Sequence, residues 1–218
     1  MKKRTFAQWL GVWFLISVFV SSTNLSIRGV AAKGKPANVP ATDPRLDMVA
    51  ALQAMGPHPS LGDQAKVFGR LVGTWDVEYT DFSKNGKVTY RSGKLLVGWI
   101  MDGRAIQDLW IVNPSGTRKE REVYTDLRYF DPKSGTWRAT FIDPENVSVA
   151  KFTGGPAGDD RIVLQSPDIN ANMDTRWSFN DIRPDSFAFR DEASSDGGKT
   201  WRLQSEYHMK RRGAVPPA

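Results

Sequence analysis

Residues 61–82 contain the change of period that organises the chain. Leu61, Ala65, Phe68 and then Leu71 or Val72 recur at helical spacing, whereas Trp75, Val77 and Tyr79 alternate strictly with Asp76, Glu78 and Thr80. A period near 3.6 that gives way to a period of 2 at Gly73 predicts a short helix breaking directly into a half-buried strand. Upstream, Asp43-Pro44 offers an N-cap and a proline at the first helical position. Leu46, Val49, Ala50 and Met55 follow with partial amphipathic spacing, and Gly56 stops the run. A first short helix is expected over 44–55.

From Thr74 onward the punctuation is of hairpin type. Asn85-Gly86, Asp102-Gly103, Ser115-Gly116, Ser134-Gly135, the glycine-rich stretch 154–158, the stretch 168–172, Pro184-Asp185 and Asp196-Gly197-Gly198 separate β-rich runs. Strands are expected near 74–82, 87–101, 103–112, 121–130, 136–143, 148–153, 161–166, 173–180, 186–193 and 200–211. Ser92-Gly93 inside the second suggests a bulge. Three runs show one buried face each: Trp137, Ala139, Phe141; Thr175, Trp177, Phe179; and Trp201, Leu203, Ser205, Tyr207, Met209. No useful helix-forming segment follows residue 73. The fold class is therefore all-β, an antiparallel up-and-down β-barrel of about ten strands preceded by one or two short helices. A split into a sandwich is the alternative for so wide a sheet.

Charge changes the picture only at the N-terminus. The chain carries +6 overall, but residues 1–32 hold Lys2, Lys3, Arg4 and Arg28 and no acid, leaving 26 basic against 24 acidic residues after them. That near-neutral remainder does not support a nucleic-acid footprint. The segment reads as a signal peptide: a positive start, an apolar stretch from Trp9 to Val20, and small residues at Val30-Ala31-Ala32 or Val20-Ser21-Ser22. Twelve apolar residues are short for a membrane span, which needs about 20. The expected organisation is a signal peptide over 1–32, a linker and short helix over 33–59, a barrel over 60–212 and a tail over 213–218. Export to the periplasm or the medium follows, with membrane attachment only if the leader stays uncleaved. With no cysteine in 218 residues, disulfides, thiolate metal sites and a lipoprotein anchor are excluded.

Chemical motifs are few. Ser194-x-Asp196-x-Gly198-x-Thr200-Trp201 fits the Asp-box pattern of sialidase-like propellers, but it occurs once, which favours a hairpin with Trp201 tucked beneath it. Asp168-x-Asn170-x-Asn172-x-Asp174 opens like a calcium loop, yet Met173 and Phe179 stand where an EF-hand needs glycine and a carboxylate. His58 and His208 do not make a metal cluster, and no Gly-x-Ser-x-Gly elbow is present. No metal, cofactor or catalytic constellation is called for. The inward surface carries the chemistry instead: Trp75, Tyr79, Trp137, Phe141, Trp177, Phe187, Phe189, Trp201 and Tyr207, interleaved with Thr125, Thr175 and Ser205. Such a lining suits a small apolar or amphipathic molecule, or else simply fills the barrel.

Leu71-Val-Gly-Thr-Trp-Asp-Val-Glu78, Trp99-Ile-Met-Asp-Gly-Arg104 and Tyr129-Phe-Asp-Pro-Lys-Ser-Gly-Thr-Trp137 together resemble the calycin superfamily of lipocalins and fatty-acid-binding proteins. The nearer likeness is to a bacterial secreted calycin-like family of unknown function, over roughly 58–212. It implies a barrel and no established activity. The paired cysteines and Thr-Asp-Tyr motif of many lipocalins are missing, as is the glycine-rich first strand of the haem-binding nitrobindins. Two further readings stay open beside non-catalytic binding. A calycin-type isomerase or lyase would work through Tyr79, Tyr207 or Asp191. A haem barrel would use His208, which alternation turns outward unless a bulge between Trp201 and His208 reverses the face. Strand parity also brings Arg211 to Trp75 at the closed end. The resemblance agrees, because many calycins close with a Trp and Arg pair.

Overall fold

The alternation of Trp75, Val77 and Tyr79 becomes the first staves of a closed barrel. Described by a computed structural model are residues 44–168 and 173–213; the expected leader, most of the linker and the last five residues lie outside the described residues. Ten antiparallel strands follow one another around the wall: β1 (Gly73–Phe82), β2 (Val88–Ile100), β3 (Ala105–Val112), β4 (Glu122–Asp131), β5 (Thr136–Asp143), β6 (Ser148–Pro156), β7 (Ile162–Asp168), β8 (Met173–Asn180), β9 (Ser186–Ser194) and β10 (Arg202–Arg211). Each strand pairs with its sequence neighbours, and β1 also pairs with β10, which closes the sheet. Full closure leaves no unpaired sheet edge.

Before the barrel come α1 (Pro44–Leu52), a 3-10 segment (Pro59–Gln64) and α2 (Ala65–Gly69). Helix α1 stops before the expected 55 because the backbone is diverted onto the barrel. Gln53 bridges Ile100, the Ala54 amide donates to the Trp99 carbonyl at 3.1 Å, and the His58 amide to that of Gly103 at 2.9 Å. Gly103 is at φ +77°, and a Cβ there would stand 2.2 Å from the Gly56 carbonyl oxygen, so this docking needs glycine. The Trp99–Arg104 stretch is thus the turn on which the N-terminal segment seats.

Two details of the wall differ from the sequence reading. Gly93 is not a bulge, since β2 pairs without interruption with β1 and β3. It is a close approach: a Cβ there would meet the Ile111 carbonyl oxygen at 2.0 Å and the Tyr79 ring at 3.0 Å. The register shift falls instead in β10, where Leu203 pairs with Glu192 but Ser205 with Asp191, leaving Gln204 as the extra residue. One extra residue flips every side chain before it to the other face. Ser205, Tyr207, Met209 and Arg211 keep the inward phase of Trp75. Trp201 is therefore corrected from the lining to the outer wall, where its ring lies 4.1 Å from the Arg176 guanidinium and its Nε1 donates to the Gly198 carbonyl.

Candidate functional site

The inward rows divide the barrel interior along its axis. At the closed end, α2 and the turn after it plug the bore with Phe68 and Leu71, both buried. The Phe68 ring meets Trp137 edge-on at 4.9 Å and Phe179 at 5.7 Å, and Trp75 meets Phe187 at 4.7 Å. The Trp75 indole donates to the Leu71 carbonyl at 2.8 Å. Across it lies Arg211, its guanidinium 3.8 Å from the ring, donating to the carbonyls of Val72 and Arg70 at 2.7 and 2.9 Å and also to that of Pro184. Trp75, Trp137 and Phe187 fill this half as packed core.

Above the plug sits a charged cluster that the sequence reading missed. Arg128, 1% exposed, ion-pairs with Asp108 and has Nη2 3.2 Å from Asp126. The Asp126 amide donates to Asp108 Oδ1 at 3.0 Å, and Trp110 Nε1 to Asp126 Oδ2 at 3.3 Å. Burial, then the neighbouring Asp108 charge, push the Asp126 carboxyl well above the usual carboxylate range, against the pull of Arg128. Burial alone would depress the Arg128 pKa, but Asp108 and Asp126 raise it. A signal for this cluster existed in the sequence. Asp108 is in phase with Ile106, Trp110 and Val112, and Arg128 with Tyr124 and Phe130, so opposite charges sit on two apolar faces.

The opposite half opens into a cavity of about 250 Å³. Its walls are Trp110, Tyr124, Phe141, Trp177, Phe189 and Tyr207. The rings form a continuous chain: Tyr124 stacks on Trp110 at 6.1 Å, Phe189 on Tyr207 at 5.3 Å, and Phe141 meets Trp177 edge-on at 5.5 Å. Around them stand Arg91, Glu122, Asp126, Asp143, Asn146 and Asp191. Arg91 clasps Glu122 through Nη1 at 2.9 and 3.0 Å and Asp81 through Nη2 at 2.7 Å, tying β1, β2 and β4 together across the mouth. Burial opposes the Arg91 charge, yet those two carboxylates outweigh it and raise its pKa. Asp81 also accepts from the Ser205 hydroxyl at 2.9 Å. Burial raises Asp191 to about 6, although the neighbouring Gln204 and Trp177 side chains favour its charged form, and it lifts the phenols of Tyr124 and Tyr207 above their ordinary value. A larger depression of about 410 Å³ lies on the outer wall around Arg176, Ser178 and Arg190. Two of its three arginines are already paired, Arg176 with Glu192 and Arg190 with Glu206, and the aromatic lining lies inside the barrel instead.

Of the residues projected inward from the sequence, Phe141, Trp177, Phe189 and Tyr207 line this cavity. Tyr79 lies buried beneath, edge-on to Tyr207 at 4.7 Å. Thr175 and Ser205 share the inward phase, whereas Thr125 is corrected to the outer face, where its hydroxyl accepts from the Gln107 side chain at 3.1 Å. Asp191, half-buried, faces the barrel interior, paired in register with Trp177 and Ser205. His208 stays outward with its side chain 61% exposed, because the β10 register shift lies before Ser205 and leaves its face unchanged. A haem reading therefore has no axial histidine in the bore. The Asp-box stretch is a tight turn in which Asp196 accepts from the amides of Lys199 and Thr200 and from the hydroxyls of Ser194 and Thr200. These bonds, those from Thr200 and Ser194 foremost, hold its carboxyl down at about 2. The calcium-like stretch falls mostly on 169–172, outside the described residues. No group of three or more metal-ligating side chains occurs among the described residues.

No protein-family model matches this chain, and no curated protein does. Solved structures do. The chain is similar to Rv2717c from M. tuberculosis, with a TM-score of 0.51 and 11% identity over 72% of this chain and 99% of that one. It is also similar to the S-type phycobiliprotein lyase CPES from Guillardia theta, with a TM-score of 0.49 and 11% identity over 67% of this chain and 91% of that one. At such identity the likeness to Rv2717c speaks for the fold alone: this is a closed, ten-stranded antiparallel β-barrel with a short helix before it.

Proposed function

We propose that the chain is an exported calycin-like barrel, of a bacterial secreted type, that binds a small amphipathic molecule at its mouth without turning it over. The observation that carries this reading is the aromatic wall of the 250 Å³ cavity, from Trp110 to Tyr207, with polar groups gathered at its rim. Ligand sites combine that kind of apolar wall with a few placed polar groups. The filled lower half limits the length of the guest. At about 30 Å³ for each water-sized group, the cavity holds roughly eight of them. A single ring with a short polar arm fits, and a long acyl chain does not. Titrating the mature protein with phenethyl alcohol and with palmitate, while following Trp emission, tests this. A saturable change with the alcohol and none with palmitate is expected; no response to any small ring compound sinks the proposal.

One observation favours a second reading, a calycin-type isomerase or lyase. Asp191 stands in the cavity wall with its carboxyl raised to about 6, which suits a group that exchanges protons near neutrality. Turnover of a bound ring compound, lost in Asp191→Asn with binding retained, would favour it over simple binding.

A further inference from the structure

Four carboxyl groups, those of Glu122, Asp126, Asp143 and Asp191, line the mouth cavity against one guanidinium, that of Arg91. The guanidinium is already committed, with Nη1 on Glu122 and Nη2 on Asp81. Its Nε is a buried donor without a partner among the described residues, but its charge is offset by the two carboxylates it holds. Two acceptors are not committed. Asp126 is 1% exposed, and its Oδ1 has no hydrogen-bond partner among the described residues; the buried Oδ1 of Asp191 has none either. A buried acceptor left unpaired is costly, and native structures rarely keep two on one cavity without a use for them. Both carboxyls stand among rings whose faces are negative and attract cations. Trp110 donates to the other oxygen of Asp126, and Trp177 is paired in register with Asp191.

We infer that the mouth cavity selects organic cations: a protonated amine on a compact apolar ring, its N–H groups donating to Asp126 Oδ1 and Asp191 Oδ1 and its ring lying against the aromatic wall. This rests on the binding reading above and adds the sign of charge that the ligand carries. The electrostatics of Asp126 fit it. Burial and the neighbouring Asp108 charge favour the protonated form of that carboxyl in the unliganded protein. An ammonium seated against Oδ1 supplies the positive charge that the proton otherwise supplies, and the proton leaves to solvent. An anionic ligand would face Glu122, Asp143 and Asp191 with no free guanidinium to meet it.

The test uses three probes of one shape: phenethylamine, phenethyl alcohol and 3-phenylpropionate, titrated into the mature protein at pH 7.5 with Trp emission or calorimetry as readout. The amine should bind at least tenfold more tightly than the alcohol, and the carboxylate at least tenfold more weakly. Asp126→Asn and Asp191→Asn should each cut the amine's advantage over the alcohol at least fivefold. Asp191→Asn, nearer the rim, keeps the test decisive if Asp126→Asn disturbs the fold, which circular dichroism reports. Equal affinity for amine and alcohol overturns the charge inference while the binding proposal stands. A preference for the carboxylate overturns it as well. Binding of none of the three overturns both.

Discussion

Replacing Arg211 by methionine removes the clamp that holds the plug on the barrel. Its guanidinium stands 3.8 Å from the Trp75 ring and donates to the carbonyls of Val72 and Arg70, which follow α2. A cation–π contact ranges from about 0.5–1 kcal/mol exposed to about 2 desolvated, and hydrogen bonds from a charged group contribute about 1.5–3 kcal/mol each. Arg211 is only partly buried, so water replaces some of that, and contributions of one side chain do not add in full. A loss of about 3 kcal/mol is expected for Arg211→Met. Trp75→Phe loses the indole donation to Leu71 and part of a fully buried ring, with a cost of about 2 kcal/mol. The double variant should fall short of the sum by about 1 kcal/mol, the coupling through the ring face. Urea denaturation followed by far-ultraviolet circular dichroism measures all three. Arg212, whose side chain is turned outward onto Asp76, is the internal control; Arg212→Met should leave the midpoint unchanged. Zero coupling, or a greater loss from Arg212→Met than from Arg211→Met, would refute this account of closure.

The buried charges give two more predictions. Asp191 keeps its proton to about pH 6 in the folded protein but only to about 3.9 when unfolded. Its burial therefore costs no stability below pH 4, and the penalty grows as pH rises through that window. The gap corresponds to about 3 kcal/mol at 1.36 kcal/mol per pKa unit. Asp191→Asn should accordingly gain stability over the parent at pH 7.5 and lose that gain at pH 4, checked by paired urea titrations; an equal effect at both pH values counts against the assignment. Arg128→Met strands Asp108 in the bore and should cost about 3–5 kcal/mol, as breaking a buried pair does. Because burial and Asp108 favour the neutral form of Asp126, Asp126→Asn should cost under about 1 kcal/mol. A larger loss from Asp126→Asn than from Arg128→Met in the same titration would reverse the roles given to the two residues.

The strand count, the barrel and the clamp were legible from period and parity. Trp75, Trp137 and Trp177 each begin or sit within runs that alternate for several residues, and alternation of one buried face against solvent is set locally by the pleat. Turns rich in Gly, Asn and Asp then marked where each run ends, because only those residues take the required backbone angles cheaply. The position of Trp201 was not legible. A single extra residue at Gln204 reverses the face, and whether one strand holds an extra residue depends on how its neighbour, β9, is paired. Nor did the sequence say which aromatic residues pack and which surround a cavity. That is decided by depth along the barrel axis, since α2 and the turn after it fill one end with Phe68 and Leu71 and leave the other to Tyr124, Phe141 and Tyr207. The charged partners were hidden for a related reason. Asp108, Asp126 and Arg128 lie on adjacent strands, β3 and β4, and Asp81, Arg91 and Glu122 on β1, β2 and β4, so their meeting depends on register across strands and on closure. Alternation fixes which side of the wall a residue faces; only the closed sheet fixes what it faces there.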